Sequence, residues 1–354
     1  MKKRIGILTF HFSNHNYGAL LQTYASVVML RKRGFEPTVI NLMPEEYSTI
    51  KSSTSLIGYL LFVNPFGKFR KKFIPLTKEI KSEKDLTDLN NQFDIFYVGS
   101  DQVWRQEFAL ENYYHYFLDF VNSDKIKISY AASFGKDFLD IDVATKCNVK
   151  KLLDNFLAIS VREDSGIDIC RSEFDKQAEK VLDPTLLLSK NDYDLIIHSE
   201  YHKKIKQKYI AYYQLTHTVG ESVDALQISK WLNRPLENIY RKSINLGFKT
   251  FTPYSSFPQW LYKIRESDFV VTDSYHCMIF AIIYRKDFVI FGNNFGGNSR
   301  IISLLESLNL KDRHLEDINE DIIKKITPIN YNIVFEKLEI LKSQSMNFLS
   351  NRDI

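Results

Sequence analysis

Cysteine is scarce in this chain, with Cys147, Cys170 and Cys277 the only three in 354 residues and none at CxxC spacing. So sparse and odd a set excludes a disulfide framework and a cysteine-built zinc site, and it fits a reducing compartment. Long apolar runs are missing too. Lys2, Lys3 and Arg4 have the charges of a leader, but the apolar run 5–10 stops at once before His11, Ser13 and Asn14. That reads as a first strand rather than a signal peptide. No stretch nears the ~18 apolar residues that span a bilayer. Charge of one sign is also absent: 47 Lys and Arg against 43 Asp and Glu leave +4. With no basic stripe interleaved with aromatics, nucleic acid is not the expected partner. These absences predict a soluble, cytoplasmic protein.

Aromatics, by contrast, are plentiful, with 26 Phe, 20 Tyr and 3 Trp. Such rings serve sugar stacking and core packing equally well. The length suits two cores of ordinary domain size. Apolar stretches 4–10 and 37–42 enclose residues 20–31, where Leu20, Tyr24, Val27 and Leu30 have helical spacing. Arg31, Lys32 and Arg33 before Gly34 are a helix stop, since cations suit the negative helix end and glycine takes the left-handed turn. Strand, helix and strand of these lengths predict a βαβ unit and a parallel sheet.

Further strands are expected at 93–98, 127–131, 157–161 and 180–182. After the polar stretch 189–207 a second series follows near 208–213, 237–240, 267–272 and 287–291. The pattern predicts an α/β protein of two Rossmann-like domains facing a cleft, residues 1–189 and 190–354, the first carrying an insertion at 43–90. The last helical stretch, 332–348, either caps the second domain or returns to the first. Within the insertion, residues 55–73 join an apolar run to Lys68, Arg70, Lys71 and Lys72. This is a helix packed on its own domain or a contact with an anionic membrane surface.

Ligands of open parallel sheets bind beyond the carboxyl ends of the strands, so polar residues there are the candidates. The first strand runs through His11, Asn14 and His15 into Asn16, Tyr17 and Gly18, ahead of a helix holding Gln22. Gly18 would let backbone N–H groups approach an anion or a sugar hydroxyl, although a loop rich in Asn and Gly is equally an ordinary turn. After 93–98 come Ser100, Asp101, Gln102 and Trp104. They offer partners for hydroxyls and a flat apolar face, or else a helix cap and a core tryptophan. Ser133 follows 127–131. Arg162 follows 157–161, where its planar fork suits a carboxylate or phosphate unless Glu163 or Asp164 pairs with it.

The sharpest segment is 267–276, ending in Thr272, Asp273, Ser274, Tyr275 and His276 before an apolar helix. His276 then stands at a helix N-terminus, where an anion would lie, as an acid or base. The alternative is a structural histidine. The Gly/Asn loop 292–300 ends in Arg300, a second anion contact. No carboxylate and histidine cluster has metal-ligand spacing.

These segments, in this order, resemble the polysaccharide pyruvyl transferase family: NYGALLQTYA (16–25), VGSDQVW (98–104), SYAASFG (129–135), SVRE (160–163), VLDPTLLL (181–188), VVTDSYH (270–276) and GNSR (297–300). The resemblance implies a fold similar to the two-domain GT-B glycosyltransferases. It implies a phosphoenolpyruvate donor on the second domain, with His276 as acid or base and Arg162, Ser274, Tyr275 and Arg300 around the donor. It also implies an acceptor, a galactose-like hexose of a surface glycan or of its lipid-diphosphate-linked precursor. The candidate acceptor residues lie on the first domain: Asn16, Tyr17, Gly18, Gln22, Ser100, Asp101, Gln102, Trp104 and Ser133. Phosphoenolpyruvate is the only co-substrate implied, with no cofactor, and a lipid-linked acceptor implies work at the cytoplasmic membrane face.

One departure matters. Relatives carry an arginine immediately before the motif histidine, where this chain has Tyr275. A phenol supplies no fixed charge, so the anion contact falls to Arg162, Arg300 or Arg285, or else donor binding differs. The competing class is a GT-B glycosyltransferase using a nucleotide sugar, with Glu266 or Asp273 as the carboxylate for ribose hydroxyls.

Overall fold

Short, wholly apolar runs make the central strands, because a parallel sheet covered on both faces leaves no side of them in water. The computed structural model describes residues 2–45, 64–199, 207–215, 222–241, 244–245, 250–251, 253–292 and 297–350. The chain divides into two units: Met1–Thr54 with Phe69–Leu188 and Leu338–Ile354, and Ser55–Lys68 with Ser189–Lys337.

In the first unit, β1 (Arg4–Leu8), β2 (Glu36–Asn41), β3 (Leu76–Glu79), β4 (Ile95–Val98) and β5 (Ile126–Ser129) form a sheet of order β3-β2-β1-β4-β5. Every pairing is parallel, with Ile5 against Ile95 and Ile95 against Ile126. Single bridges, Ile128 to Ala158 and Ala132 to Val161, carry the ladder on to β6 (Ser160–Val161) and β7 (Glu179–Lys180). The order reverses between β1 and β4, which is where an open α/β sheet leaves a crevice at its strand carboxyl ends. Helix α1 (Tyr17–Lys32) follows β1, capped by the Asn16 side chain and ended by Arg31 and Lys32 in its last turn.

The expected insertion at 43–90 needs correction, because β3 lies inside it and pairs with β2 as a member of the sheet. Its sequence, LTKE, belongs to an edge strand with no fully buried residue, so no apolar run announces it. Helix α2 (Asn64–Phe73) is amphipathic, and Phe69 and Phe73 pack edge-on against Tyr24 at 6.1 and 5.9 Å. Its Arg70 donates to the Ser13 carbonyl at 2.8 Å and to Asn14 Oδ1 at 2.7 Å. Arg70 therefore shapes the loop after β1 and is not part of a basic face. Residues 46–63, which hold the apolar part of the membrane expectation, lie outside the described residues.

In the second unit, β8 (Ile210–Tyr213), β9 (Leu236–Asn238), β12 (Phe269–Thr272), β13 (Asp287–Phe291) and β14 (His314–Leu315) pair in the order β14-β13-β12-β8-β9, again all parallel. A small antiparallel pair, β10 (Ile244–Asn245) and β11 (Thr250–Phe251), stands apart from it. After helix α3 (Asp164–Phe174) of the first unit come α4 (Phe257–Glu266), α5 (Tyr275–Ile283) and α6 (Asn298–Ser307) of the second. All nine residues of α5 are buried, as an all-round apolar helix must be. Tyr213, Trp260, Phe280 and Tyr193 meet edge to face, with centroids 4.8–5.5 Å apart, so this part of the aromatic content is core.

The last helix, α7 (Tyr331–Ser350), enters the first unit from Leu338 onward. There Ser345 Oγ accepts from the Leu182 N–H at 2.9 Å and Phe348 packs on Tyr130. Of the two readings of the terminal stretch, the return to the first unit is the one the structure shows.

Candidate functional site

The loops after β1 and β4 enclose a cavity of about 220 Å³ in the first unit. Phe10, Phe12, Phe108 and Leu110 supply its apolar wall, while Ser13, His15, Asn16, Asp101, Gln102 and Glu107 supply polar groups. Three of the expected acceptor residues, Asn16, Asp101 and Gln102, therefore meet in one place. The apolar wall and Glu107 escaped the sequence reading. Phe10 and Phe12 alternate directly after a strand, a signal that was present but indistinguishable from core.

The other acceptor candidates are corrected by burial. Trp104 is 1% exposed, donates from Nε1 to the Tyr116 carbonyl at 2.9 Å and stacks on Phe117. It is a core ring with no face left for a sugar. Gln22 is fully buried and donates to Thr9 Oγ1, the Ala19 carbonyl and Thr23 Oγ1. Tyr17 and Gly18 are buried in the first turn of α1. Ser133 is buried and accepts from the Gly135 N–H at 3.1 Å. Ser100 is buried as well, donating to the Ala131 carbonyl at 3.0 Å and within 2.9 Å of Asp183 Oδ2.

Arg162 also has a different task from the one expected. Its side chain is 1% exposed and forks between Asp183 Oδ2 at 3.1 Å and Asp101 Oδ1 at 3.2 Å, with Glu163 Oε2 at 3.6 Å. Asp183 in turn accepts from the N–H and hydroxyl of Thr185. The guanidinium is thus the centre of a buried ion cluster beneath the cavity, and its charge is already balanced. Position 99 must be glycine for a related reason. Its φ is +108°, and a Cβ there would run into the Tyr130 carbonyl.

In the second unit, β12 ends in Thr272, and the turn into α5 is tightly made. The Ser274 N–H donates to Thr272 Oγ1 at 3.0 Å, and Ser274 Oγ caps the helix by accepting from the Cys277 N–H at 3.4 Å. Asp273 Oδ1 accepts from the Leu215 N–H at 2.6 Å, tying the ends of β8 and β12 together. Ser274, expected at the donor, is thus the helix cap, and Tyr275 and His276 occupy the first two helical positions. Cys277, the third, is wholly buried with its thiol pushed up to about 12, mainly by burial, so it is no nucleophile.

Arg300 comes to the same turn from α6. Its Cζ lies 5.7 Å from the Tyr275 ring centroid, within cation–π range. Gly297, at φ +95°, is also close, since a Cβ there would stand 2.9 Å from Arg300 Cζ. Tyr275, at the position where an arginine was expected, thus has a guanidinium from the next helix near its ring. Arg285 is elsewhere: it follows the carboxyl end of α5 and lies over Phe335 at 4.5 Å. Asn298, from the GNSR segment, and His314, which the sequence reading missed, meet beside Gly292. Asn298 Nδ2 and His314 Nε2 would lie 3.3 and 3.6 Å from a Cβ at Gly292, directly after β13. Burial pushes the His314 imidazole below its usual range, favouring the neutral form. Residues 293–296 of the expected Gly/Asn loop lie outside the described residues.

The two carboxylates considered for a nucleotide ribose lie at opposite ends of β12. Glu266 ends α4 ahead of β12, at the amino end of that strand, and pairs with Arg265 at 2.9 Å. Asp273 is 3% exposed and bonded to the Leu215 N–H.

Two parallel five-stranded sheets, each with its polar turns at the strand carboxyl ends, define a GT-B-like α/β protein. The chain belongs to the polysaccharide pyruvyl transferase family, whose model matches residues 16–294. It is thereby a transferase of polysaccharide pyruvylation in the general sense. Among solved structures it is similar to UDP-bound MnaA of S. aureus, at 13% identity and a TM-score of 0.50, over 98% of this chain and 91% of that one. It is also similar to a putative UDP-N-acetylglucosamine 2-epimerase from Listeria monocytogenes, at 11% identity and a TM-score of 0.51, over the same shares. At these identities the likeness concerns the fold alone. No curated protein sequence matches the chain. Among the described residues no helix is long and apolar enough to cross a membrane.

Proposed function

We propose that the protein moves pyruvate from phosphoenolpyruvate onto two hydroxyls of a hexose, closing a cyclic ketal, and that the hexose belongs to a surface polysaccharide or its lipid-linked precursor. The observation that carries this reading is the turn after β12. There His276 stands in the first turn of α5, and the Arg300 guanidinium lies 5.7 Å from the ring centroid of Tyr275 beside it.

In this reading Arg300 and the amino end of α5 hold the donor's phosphate and carboxylate, since a helix N-terminus and a planar cation both favour anions. His276 delivers a proton to the donor's methylene carbon, leaving a cationic centre at the carbon that bears the phosphate. A sugar hydroxyl adds there, phosphate departs with the electron pair of its C–O bond, and the second hydroxyl closes the ring. One of the two hydroxyl protons balances the new methyl group, and the other leaves with phosphate. The acceptor ring is assigned to the first-unit cavity, whose volume of about 220 Å³ is small against the roughly 300–1,000 Å³ of drug-sized sites and suits one sugar. Phenylalanine side chains with hydroxyl partners nearby are a fitting lining for it.

Arg300→Ala is expected to weaken phosphoenolpyruvate binding by about 1.5–3 kcal/mol, the value of a charge-assisted hydrogen bond, with an unchanged melting temperature. Calorimetric titration of both proteins checks this. Equal affinities would remove Arg300 from the donor site.

A further inference from the structure

The first-unit cavity contains a carboxylate with one oxygen committed and the other unengaged. Asp101 Oδ1 accepts from the Gln102 N–H at 2.9 Å and from Arg162 Nη2 at 3.2 Å. Its Oδ2 has no hydrogen bond to any described residue, although Asp101 is only 6% exposed and lines the cavity. A bridge to Ala132 fixes the backbone of Asp101, which sits at φ +79°. Beneath it, Arg162 is held by Asp183, which fixes the cation and through it the plane of the carboxylate.

We propose that Asp101 is the general base of the transfer, its Oδ2 taking the proton of the attacking sugar hydroxyl. This rests on the pyruvyl-transfer reading. The sugar oxygen forms its new bond to the cationic carbon of the protonated donor, and the O–H electron pair stays with that oxygen while the proton passes to Asp101 Oδ2. The proton returns to solvent or to the departing phosphate. Bond formation to a cation makes the hydroxyl strongly acidic in the transition state, so the base needs position more than strength.

The test compares wild type, Asp101→Asn and Asp101→Gly in steady state with phosphoenolpyruvate and methyl β-galactoside, following phosphate release and ketal formation. Asparagine is nearly isosteric, and its amide oxygen still accepts from the Gln102 N–H and Arg162. Glycine suits the positive φ and leaves room for a small carboxylate. Asp101→Asn should lower kcat by about 10²-fold, leave KM for the galactoside within a few-fold, and leave phosphoenolpyruvate binding intact. Formate should restore turnover to Asp101→Gly. A raised KM with kcat preserved, or near-normal turnover in Asp101→Asn, would overturn the base assignment while leaving pyruvyl transfer standing. Wild type that neither binds phosphoenolpyruvate nor releases phosphate from it would remove the pyruvyl-transfer reading, and the base assignment with it, whatever the variants do.

Discussion

Arg162→Met is expected to lose about 3–5 kcal/mol of stability, the penalty for leaving buried charge without its partner. The side chain is 1% exposed and lies within 3.1–3.6 Å of Asp183, Asp101 and Glu163, whose side chains are 0–9% exposed. Methionine fills a similar volume but leaves these carboxylates facing one another in a low-dielectric interior. Surface ion pairs of the same chain, such as the exposed pair Arg4–Asp94, are worth at most about 1 kcal/mol by comparison. Equilibrium urea unfolding of wild type, Arg162→Met and Arg4→Met separates the two cases. If Arg162→Met unfolds at the wild-type midpoint, the cluster does not hold the first unit together and a donor role for Arg162 returns.

His276→Gln should remove most turnover, by roughly 10²–10⁴-fold, the usual contribution of a positioned acid or base. The residue is 6% exposed at the second position of α5, directly after the capped turn. Glutamine keeps much of the volume and hydrogen-bonding capacity but cannot deliver a proton. Phosphoenolpyruvate binding should fall far less, because the donor's charge is held by Arg300 and the helix end. Melting temperature and turnover measured on the same preparation discriminate between roles. A structural histidine would show lost stability with normal turnover in the folded fraction. A folded His276→Gln protein with wild-type turnover would end its assignment as the proton donor.

How much was legible in the sequence follows from what each signal depends on. Runs such as IFYV and FVVT are buried on both sheet faces, so their position is fixed by composition alone. The turns at their carboxyl ends are located with them, which is why Asp101, Ser274 and His276 all fall directly after a strand, whatever their roles there. Side-chain direction was not legible. Asn16 reaches the cavity and Gln22, six positions on, points into the core, because the helical turn between them rotates one away from the other.

Nor was pairing across the chain visible. The acids that balance Arg162 stand at 101, 163 and 183, and only the adjacent one could be suspected. The same limit hid the partner of Tyr275: an exchange of arginine for a phenol looks like a lost charge until Arg300 is seen over the ring. Strand β3 was hidden for a different reason, since a half-exposed edge strand needs no apolar run.

The central claim is that this GT-B-like chain takes phosphoenolpyruvate as donor, and thermal unfolding with candidate donors tests it most directly. A ligand that binds only the folded state raises the melting temperature, and at 100 times its dissociation constant it stabilises by about 2.7 kcal/mol. Phosphoenolpyruvate is expected to shift the transition upward in a dose-dependent way, and the shift should shrink in Arg300→Ala. A nucleotide sugar such as UDP-glucose should produce none, since Glu266 lies at the amino end of β12 and Asp273 is held by the Leu215 N–H. A shift with the nucleotide sugar and none with phosphoenolpyruvate would contradict the assignment of the donor.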